Sequence, residues 1–290
     1  MNKQGYSASD IVFLLGAGAT VDAGMPTIKD LTQCIRERLP YLKDVNGKKG
    51  FEKLFDTLAG IDPDVNNNYE RFFEYLQLIT RATGDREKHL FTVSLSADLL
   101  DRAGHLPYVI GDLVKEIFYE LQDLPSQDYL FYLDDFIPAQ ERLKVFTLNY
   151  DLCVENACIN KGISLTTGFG DAWQPDLFSI PERGINLYKL HGSLTWITDK
   201  NWKIREMPTI QKNRTCEIVL GPGSKLQSDD PFVTLFCEFH KAMQSAKVCV
   251  VIGYGYQDTH VNTVFERSKV NIVDVNIKHA DILNKTNKQY

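Results

Sequence analysis

The sequence predicts an α/β fold: a doubly wound parallel sheet flanked by helices, with a helical module inserted into it. Three observations carry this. Short apolar runs such as Ile11–Leu15 and Val248–Ile252 have strand length and are partly β-branched, as strands covered on both faces are. Several of these runs pass directly into Gly, Asn or His and then into a helical pattern, the rhythm of strand, turn and helix in such sheets. More than a hundred residues with helical periodicity separate the first run from the second.

The elements follow in order. Ile11–Leu15 opens the sheet, and Val145–Leu148, Asn186–Leu190, Val248–Ile252 and Asn271–Val275 continue it, with Glu217–Leu220 as a weaker strand. Thr27 and Asp30 have capping-box spacing, and Ile28, Leu31, Ile35 and Leu39 follow on one helical face. Tyr69, Phe72, Phe73, Leu76 and Ile79 form one apolar stripe. Val109, Ile110, Leu113, Val114, Ile117, Phe118 and Leu121 form another. Both stripes read as core. Residues 1–290 are expected to form a single domain, its sheet part at about 1–39 and 141–290 and its helical insert at about 40–140. Thr166–Gly184, rich in Gly, Pro and Asp, reads as a long surface loop of the kind that carries function.

Composition narrows the function. Lys plus Arg is 32 and Asp plus Glu is 38, a net charge of −6, which argues against a dominant electrostatic grip on nucleic acid. The hydrophobic share of 43% and charged share of 24% are those of a globular protein. No apolar run approaches the roughly 20 residues of a membrane span, and Met1–Asp10 lacks a signal-type apolar core. The expectation is a cytoplasmic protein with no membrane partner. Six scattered Cys and no Cys-x-x-Cys pair point to ordinary thiols and to no metal site.

Four motifs carry chemistry. Gly16-Ala17-Gly18-Ala-Thr20 stands where a strand becomes a helix, where backbone amides and small residues let an anion approach. Val21 stands where the usual dinucleotide fingerprint has a third Gly, so the turn alone reads equally well as structural. Thr147-Leu-Asn149-Tyr-Asp151 puts polar groups at a strand's carboxyl end, where open sheets bind ligands. Leu190-His191-Gly-Ser193 offers an imidazole able to act as a base near neutral pH. Val251-Ile-Gly253-Tyr-Gly255-Tyr-Gln-Asp258 is a second glycine turn, with Asp258 read as a helix N-cap.

Taken in order, these motifs resemble the Sir2 (sirtuin) superfamily, and more specifically the SIR2-like NADase domains of bacterial anti-phage defence proteins. The resemblance runs from Ile11 to about Asn276. It implies a Rossmann-like sheet binding NAD+, with Gly16, Ala17, Gly18 and Thr20 at the pyrophosphate and Met25 in the cofactor loop. It implies Asn149 beside the nicotinamide ribose, Asp151 on the carboxamide and His191 as general base. Gly253 and Gly255 would line the adenosine ribose, with Asn276 reaching it from the last strand.

The departures from deacylating sirtuins select the reaction. Those enzymes carry two zinc-binding Cys-x-x-Cys pairs, and this chain has none. Their loop Gly-Ile-Pro-Asp-Phe-Arg is here Gly24-Met-Pro-Thr-Ile-Lys29, with Ile28 replacing an aromatic shield. Their Thr-Gln-Asn is Thr147-Leu148-Asn149, and Ser193-Leu-Thr-Trp196 stands where they have Phe-Gly-Glu. Together these favour water as nucleophile: an NAD+ glycohydrolase without metal, acting as the NAD-depleting effector of a defence system. Uncontrolled hydrolysis would be toxic, so a homo-oligomer and a sensor or ATPase partner are expected to control it. The alternatives are a protein deacylase or ADP-ribosyltransferase, and a non-catalytic NAD or ADP-ribose module.

Overall fold

The computed structural model describes residues 7, 9–43, 49–82, 97–121, 128–220 and 229–276, except for the side chains of some positions between 82 and 131. The chain divides into two compact units: Met1–Met25, Leu121–Val219 and Lys225–Tyr290 in one, and Pro26–Glu120 with Leu220–Ser224 in the other.

The first unit holds a six-stranded parallel sheet. Its strands are β1 (Ile11–Leu15), β2 (Arg142–Thr147), β3 (Leu165–Thr166), β4 (Gly184–Lys189), β7 (Val248–Ile252) and β8 (Asn271–Val275). They lie in the order β3-β4-β2-β1-β7-β8. The order reverses at β1, which pairs with β2 on one side and β7 on the other. This reversal marks the place where sheets of this class bind ligands, beyond the strands' carboxyl ends.

β1 is apolar throughout because both its faces are covered. Val12 and Leu14 belong to the core that includes Phe239 of α6 (Phe232–Ser245) and Phe265 of α7 (Thr259–Arg267). Phe13 meets Phe136 edge-on at 5.1 Å. A column of rings continues the core: Phe146 stacks on Tyr188 at 4.6 Å, and Tyr188 stacks on Phe178 at 4.2 Å. Phe178 comes from the segment expected to be a surface loop. Phe169 and Trp173 of that segment also pack on the core, so its aromatic residues anchor it.

Three strands escaped the sequence reading, the two-residue β3 among them. β5 (Trp196–Thr198) and β6 (Ile204–Glu206) form an antiparallel hairpin with strands of only three residues. Glu217–Leu220, expected as a weak strand, forms a single bridge between Ile218 and Gly192. The reason is its neighbour: it lies along the turn after β4, which is too irregular to extend a ladder.

The second unit contains α1 (Ile28–Arg38), α2 (Phe51–Ile61), α3 (Tyr69–Ala82) and α4 (Ala97–Leu121). The Thr27–Asp30 capping box forms at the start of α1. The stripe on α3 is core, with Tyr69, Phe72 and Leu76 buried. The sequence reading placed α1 on the sheet side of a boundary near residue 39. The division falls instead between Met25 and Pro26. Leu31, Ile35 and Leu39 are buried, and the Thr32 hydroxyl accepts the amide of Tyr69 at 2.8 Å. These contacts tie α1 to the helices that follow it. Among the described residues no helix is long and apolar enough to cross a membrane.

Candidate functional site

Every residue singled out in the four motifs lies just beyond the carboxyl end of a sheet strand. Gly16–Thr20 follow β1, Asn149 and Asp151 follow β2, His191 follows β4, Gly253 and Gly255 follow β7, and Asn276 follows β8. β2 and β4 are neighbours with Thr147 opposite Lys189. Asn149 and His191 each lie two residues past this last pair, in the turns that leave adjacent strands.

The first glycine turn interlocks with the fourth motif. The helix that follows β1 at this turn is a seven-residue 3-10 helix, Ala17–Ala23. The amide of Gly16 donates to the Ile252 carbonyl at 2.9 Å and that of Gly18 to the Gly253 carbonyl at 2.8 Å. A Cβ at Gly16 would stand 2.6 Å from the Gly253 oxygen, and one at Gly18 would stand 2.8 Å from the Gly253 Cα. Gly253 has φ +63° and a Cβ there would meet the Ala19 nitrogen at 2.1 Å. Backbone packing thus requires all three glycines. Gly18 and Gly255 still present exposed backbone beside half-buried Ala17, and a Cβ at Gly255 would meet nothing within 4 Å.

Asn149 and Asp151 join at Thr20. The Asn149 Nδ2 donates to the Gly16 carbonyl at 3.0 Å and the Thr20 hydroxyl oxygen at 3.2 Å. Since Gly16 O can only accept, the amide orientation is fixed, and its carbonyl oxygen faces away from these partners. The Thr20 hydroxyl donates to Asp151 Oδ2 at 3.0 Å, and Asp151 Oδ1 accepts the Cys153 amide at 3.0 Å. Thr20, expected at a phosphate, is buried as the brace between the two strand ends. Beneath it, fully buried Lys189 donates to the Asp151 backbone oxygen and, at 2.7 Å, to Glu155 of α5 (Cys153–Lys161). Burial pushes the Glu155 carboxyl upward against the pull of Lys189.

His191 is held from two sides. Gly192 has φ +83°, and a Cβ there would lie 2.1 Å from the Glu217 carbonyl oxygen. The Val219 amide donates to the His191 carbonyl at 2.9 Å. The strand that failed to form therefore serves to pin the histidine turn. The His191 Nε2 lies 3.0 Å from Asp258 Oδ2, with both side chains buried. Sequence reading took Asp258 only as a cap. Its two oxygens were the available signal, since a cap uses one of them.

The remaining expected residues brace these turns. Buried Met25 donates its amide to the Thr20 carbonyl at 3.1 Å. The Asn276 amide donates to the Tyr254 carbonyl at 3.1 Å, tying the end of β8 to the Gly253–Gly255 turn. A cleft of about 330 Å³ opens beside Gly18 and Ala19, walled by Phe13, Phe136, Tyr132 and Ile252. It reaches the glycine turn but not Asn149 or His191. Among the described residues no three His, Cys, Asp or Glu side chains gather as a metal site.

An open parallel sheet with polar turns converging on its reversal point is the architecture of a nucleotide-binding α/β protein. The SIR2-like domain family matches residues 143–285 of the chain. No curated protein matches the chain. Similar solved structures include a mutant Sir2 homologue in complex with ADP-ribose, 13% identical over 96% of this chain and 84% of that one, with a TM-score of 0.42. A sirtuin structure on the basis of substrate affinity is 14% identical over 97% and 88%, with a TM-score of 0.42. Sir2Tm bound to a propionylated peptide is 13% identical over 97% and 86%, with a TM-score of 0.37.

Proposed function

We propose that this chain hydrolyses NAD⁺: NAD⁺ plus water gives nicotinamide, ADP-ribose and a proton. The match of residues 143–285 to the SIR2-like domain family supports NAD⁺ as the substrate. The observation that carries the reaction is the held amide of Asn149. Its nitrogen is engaged by Gly16 and Thr20, which leaves its oxygen to accept from a water or a ribose hydroxyl.

The bond to be broken needs little else. Nicotinamide leaves NAD⁺ as a neutral molecule, so no general acid is required. The transition state is a ribosyl cation, and the protein's task is to position water and accept its proton. Asn149 orients the water and His191 takes the proton. Each Asp151 oxygen already accepts one protein hydrogen bond, and a carboxylate keeps further lone pairs for the two N–H donors of nicotinamide's amide. Exposed backbone at Gly18 and Gly255 leaves room for the pyrophosphate and adenosine ribose.

Water is favoured over an acyl-lysine because Ser193 and Thr195 bond to each other at 2.9 Å and are buried. They stand where deacylating sirtuins shape a peptide channel. By the same resemblance, the enzyme serves in a bacterial anti-phage system, as a homo-oligomer released by a sensor or ATPase partner and working in the cytoplasm. Incubation of the purified chain with NAD⁺ over a range of protein concentrations tests the reaction. Equal amounts of nicotinamide and ADP-ribose are expected. Acyl-ADP-ribose formed only with an acylated peptide would replace this reading by deacylation.

A further inference from the structure

We propose that Asp258 is a positioning residue that fixes His191 in the Nε2-protonated tautomer and so places the ring's basic lone pair on Nδ1. This rests on the reading of His191 as the base for hydrolysis, and its test separates the two.

The argument starts from the donors around Asp258. Its Oδ1 accepts the amides of His260 at 2.9 Å and Val261 at 3.2 Å, capping α7. Its own amide lies 3.2 Å from the Tyr254 hydroxyl oxygen, which it reaches as donor. The Tyr254 hydroxyl also lies 3.0 Å from Asn262 Oδ1, and the Asn262 amide donates to the Tyr256 carbonyl at 2.7 Å. The carboxylate is thereby locked in position and rotamer, and Oδ2 is left facing His191 Nε2 at 3.0 Å.

An ionised carboxylate only accepts hydrogen bonds. The hydrogen between the pair therefore sits on Nε2. A neutral imidazole carries one N–H, so its lone pair is on Nδ1. The pair is 5% and 2% exposed, which keeps bulk water from competing for either atom. The histidine cannot swing away easily, because Gly192 and Val219 hold its backbone.

Capping alone does not require an acid. Asn or Ser caps a helix about as well as Asp. Only a carboxylate can cap with one oxygen and accept from an imidazole with the other. In Asp258→Asn the side-chain oxygen keeps the cap and the amide nitrogen turns to His191. A donor at that place demands a lone pair on Nε2 and moves the proton to Nδ1. The wrong tautomer in a comparable aspartate–histidine pair lowers turnover by about 10⁴-fold.

The experiment measures imidazole ¹⁵N shifts of His191 in the wild-type chain, Asp258→Asn and Asp258→Ser, with His191→Ala used for assignment. Nicotinamide release is measured in parallel. Wild type should show a pyrrole-type Nε2 and a pyridine-type Nδ1. Asp258→Asn should reverse the pattern, and Asp258→Ser, which keeps a cap but does not reach the ring, should give a mixture. Turnover should fall at least about a hundredfold in Asp258→Asn with the melting temperature retained. An unchanged tautomer in both variants overturns the proposal. So does a reversed tautomer with wild-type turnover. If the wild-type chain releases no nicotinamide under any condition, the hydrolase reading falls, while the ¹⁵N pattern still decides what Asp258 does to His191.

Discussion

The amide of Gly18 donates to the carbonyl of Gly253 across 2.8 Å, and a Cβ on either residue would strike the other's backbone. The turns after β1 and β7 are therefore one interlocked structure, although the sequence shows them as two separate glycine motifs. Gly253→Ala must place a Cβ in the Ala19 backbone at positive φ and should cost more than about 2 kcal/mol. Gly255→Ala, with nothing within 4 Å of its Cβ, should leave the urea midpoint nearly unchanged. Equal midpoints for the two variants would refute the interlock.

Gly255 also separates folding from binding. Gly255→Val adds bulk at an exposed turn without a steric clash at the Cβ. If that turn lines the adenosine ribose, NAD⁺ affinity should fall about tenfold or more, a change of 1.4 kcal/mol, while stability holds. Calorimetry with unchanged affinity would place the ligand elsewhere.

His191→Ala and Asn149→Ala should each remove most of the hydrolysis, about 10²–10⁴-fold for loss of the base. NAD⁺ affinity should stay within about tenfold, because the proposed function assigns the pyrophosphate and adenosine to other turns. His240→Ala, exposed on α6, serves as the control and should turn over normally. Wild-type turnover in His191→Ala would remove the histidine from the reaction.

Thr20 links Asn149 to Asp151 through one buried hydroxyl. Thr20→Val preserves shape but leaves both partners short of a hydrogen bond, and should cost about 1–3 kcal/mol. Thr20→Ser should recover much of that. A Thr20→Val chain as stable as wild type would mean that water replaces the hydroxyl.

Thiol chemistry should follow burial. The Cys158 thiol is pushed up to about 12, chiefly by burial, and burial with the nearby Asp151 carboxylate pushes Cys153 up as well. A raised thiol stays protonated and unreactive through neutral and mildly alkaline pH, since the thiolate is the nucleophile. Iodoacetamide at about pH 8 should label exposed Cys237 and spare Cys153 and Cys158 until the protein is denatured. Labelling of all three at one rate in the folded state would contradict these environments.

The strands whose limits could be read from the sequence are five residues long with an apolar pattern. β1 and β7 are continuous apolar runs, whereas β8 alternates about buried Ile272 with Val273 and Val275 exposed. β5 and β6 were illegible because three residues are too few to show a period. α1 could be read as a helix, but its allegiance could not, since the Thr32–Tyr69 bond joins positions 37 apart. The same holds for the site. The motifs stood out as turns after strands, whereas the pairing of His191 with Asp258 spans 67 positions and emerges only when β4 and α7 fold into place.

The Asn149–Gly16 bond closes a loop of 133 positions, with helices α1 to α4 between its ends. β1 must find β2 and β7 across long stretches of chain before any of the candidate site exists. Pairings of such separation are slow to form, because chain entropy is lost before the contacts repay it. The site should therefore mature late, after the helices of the intervening segment have formed. A chain still emerging during synthesis, with β7 not yet made, would hold the first glycine turn and the histidine but not their partners Gly253 and Asp258. The candidate site would thus stay unassembled until the sheet is complete.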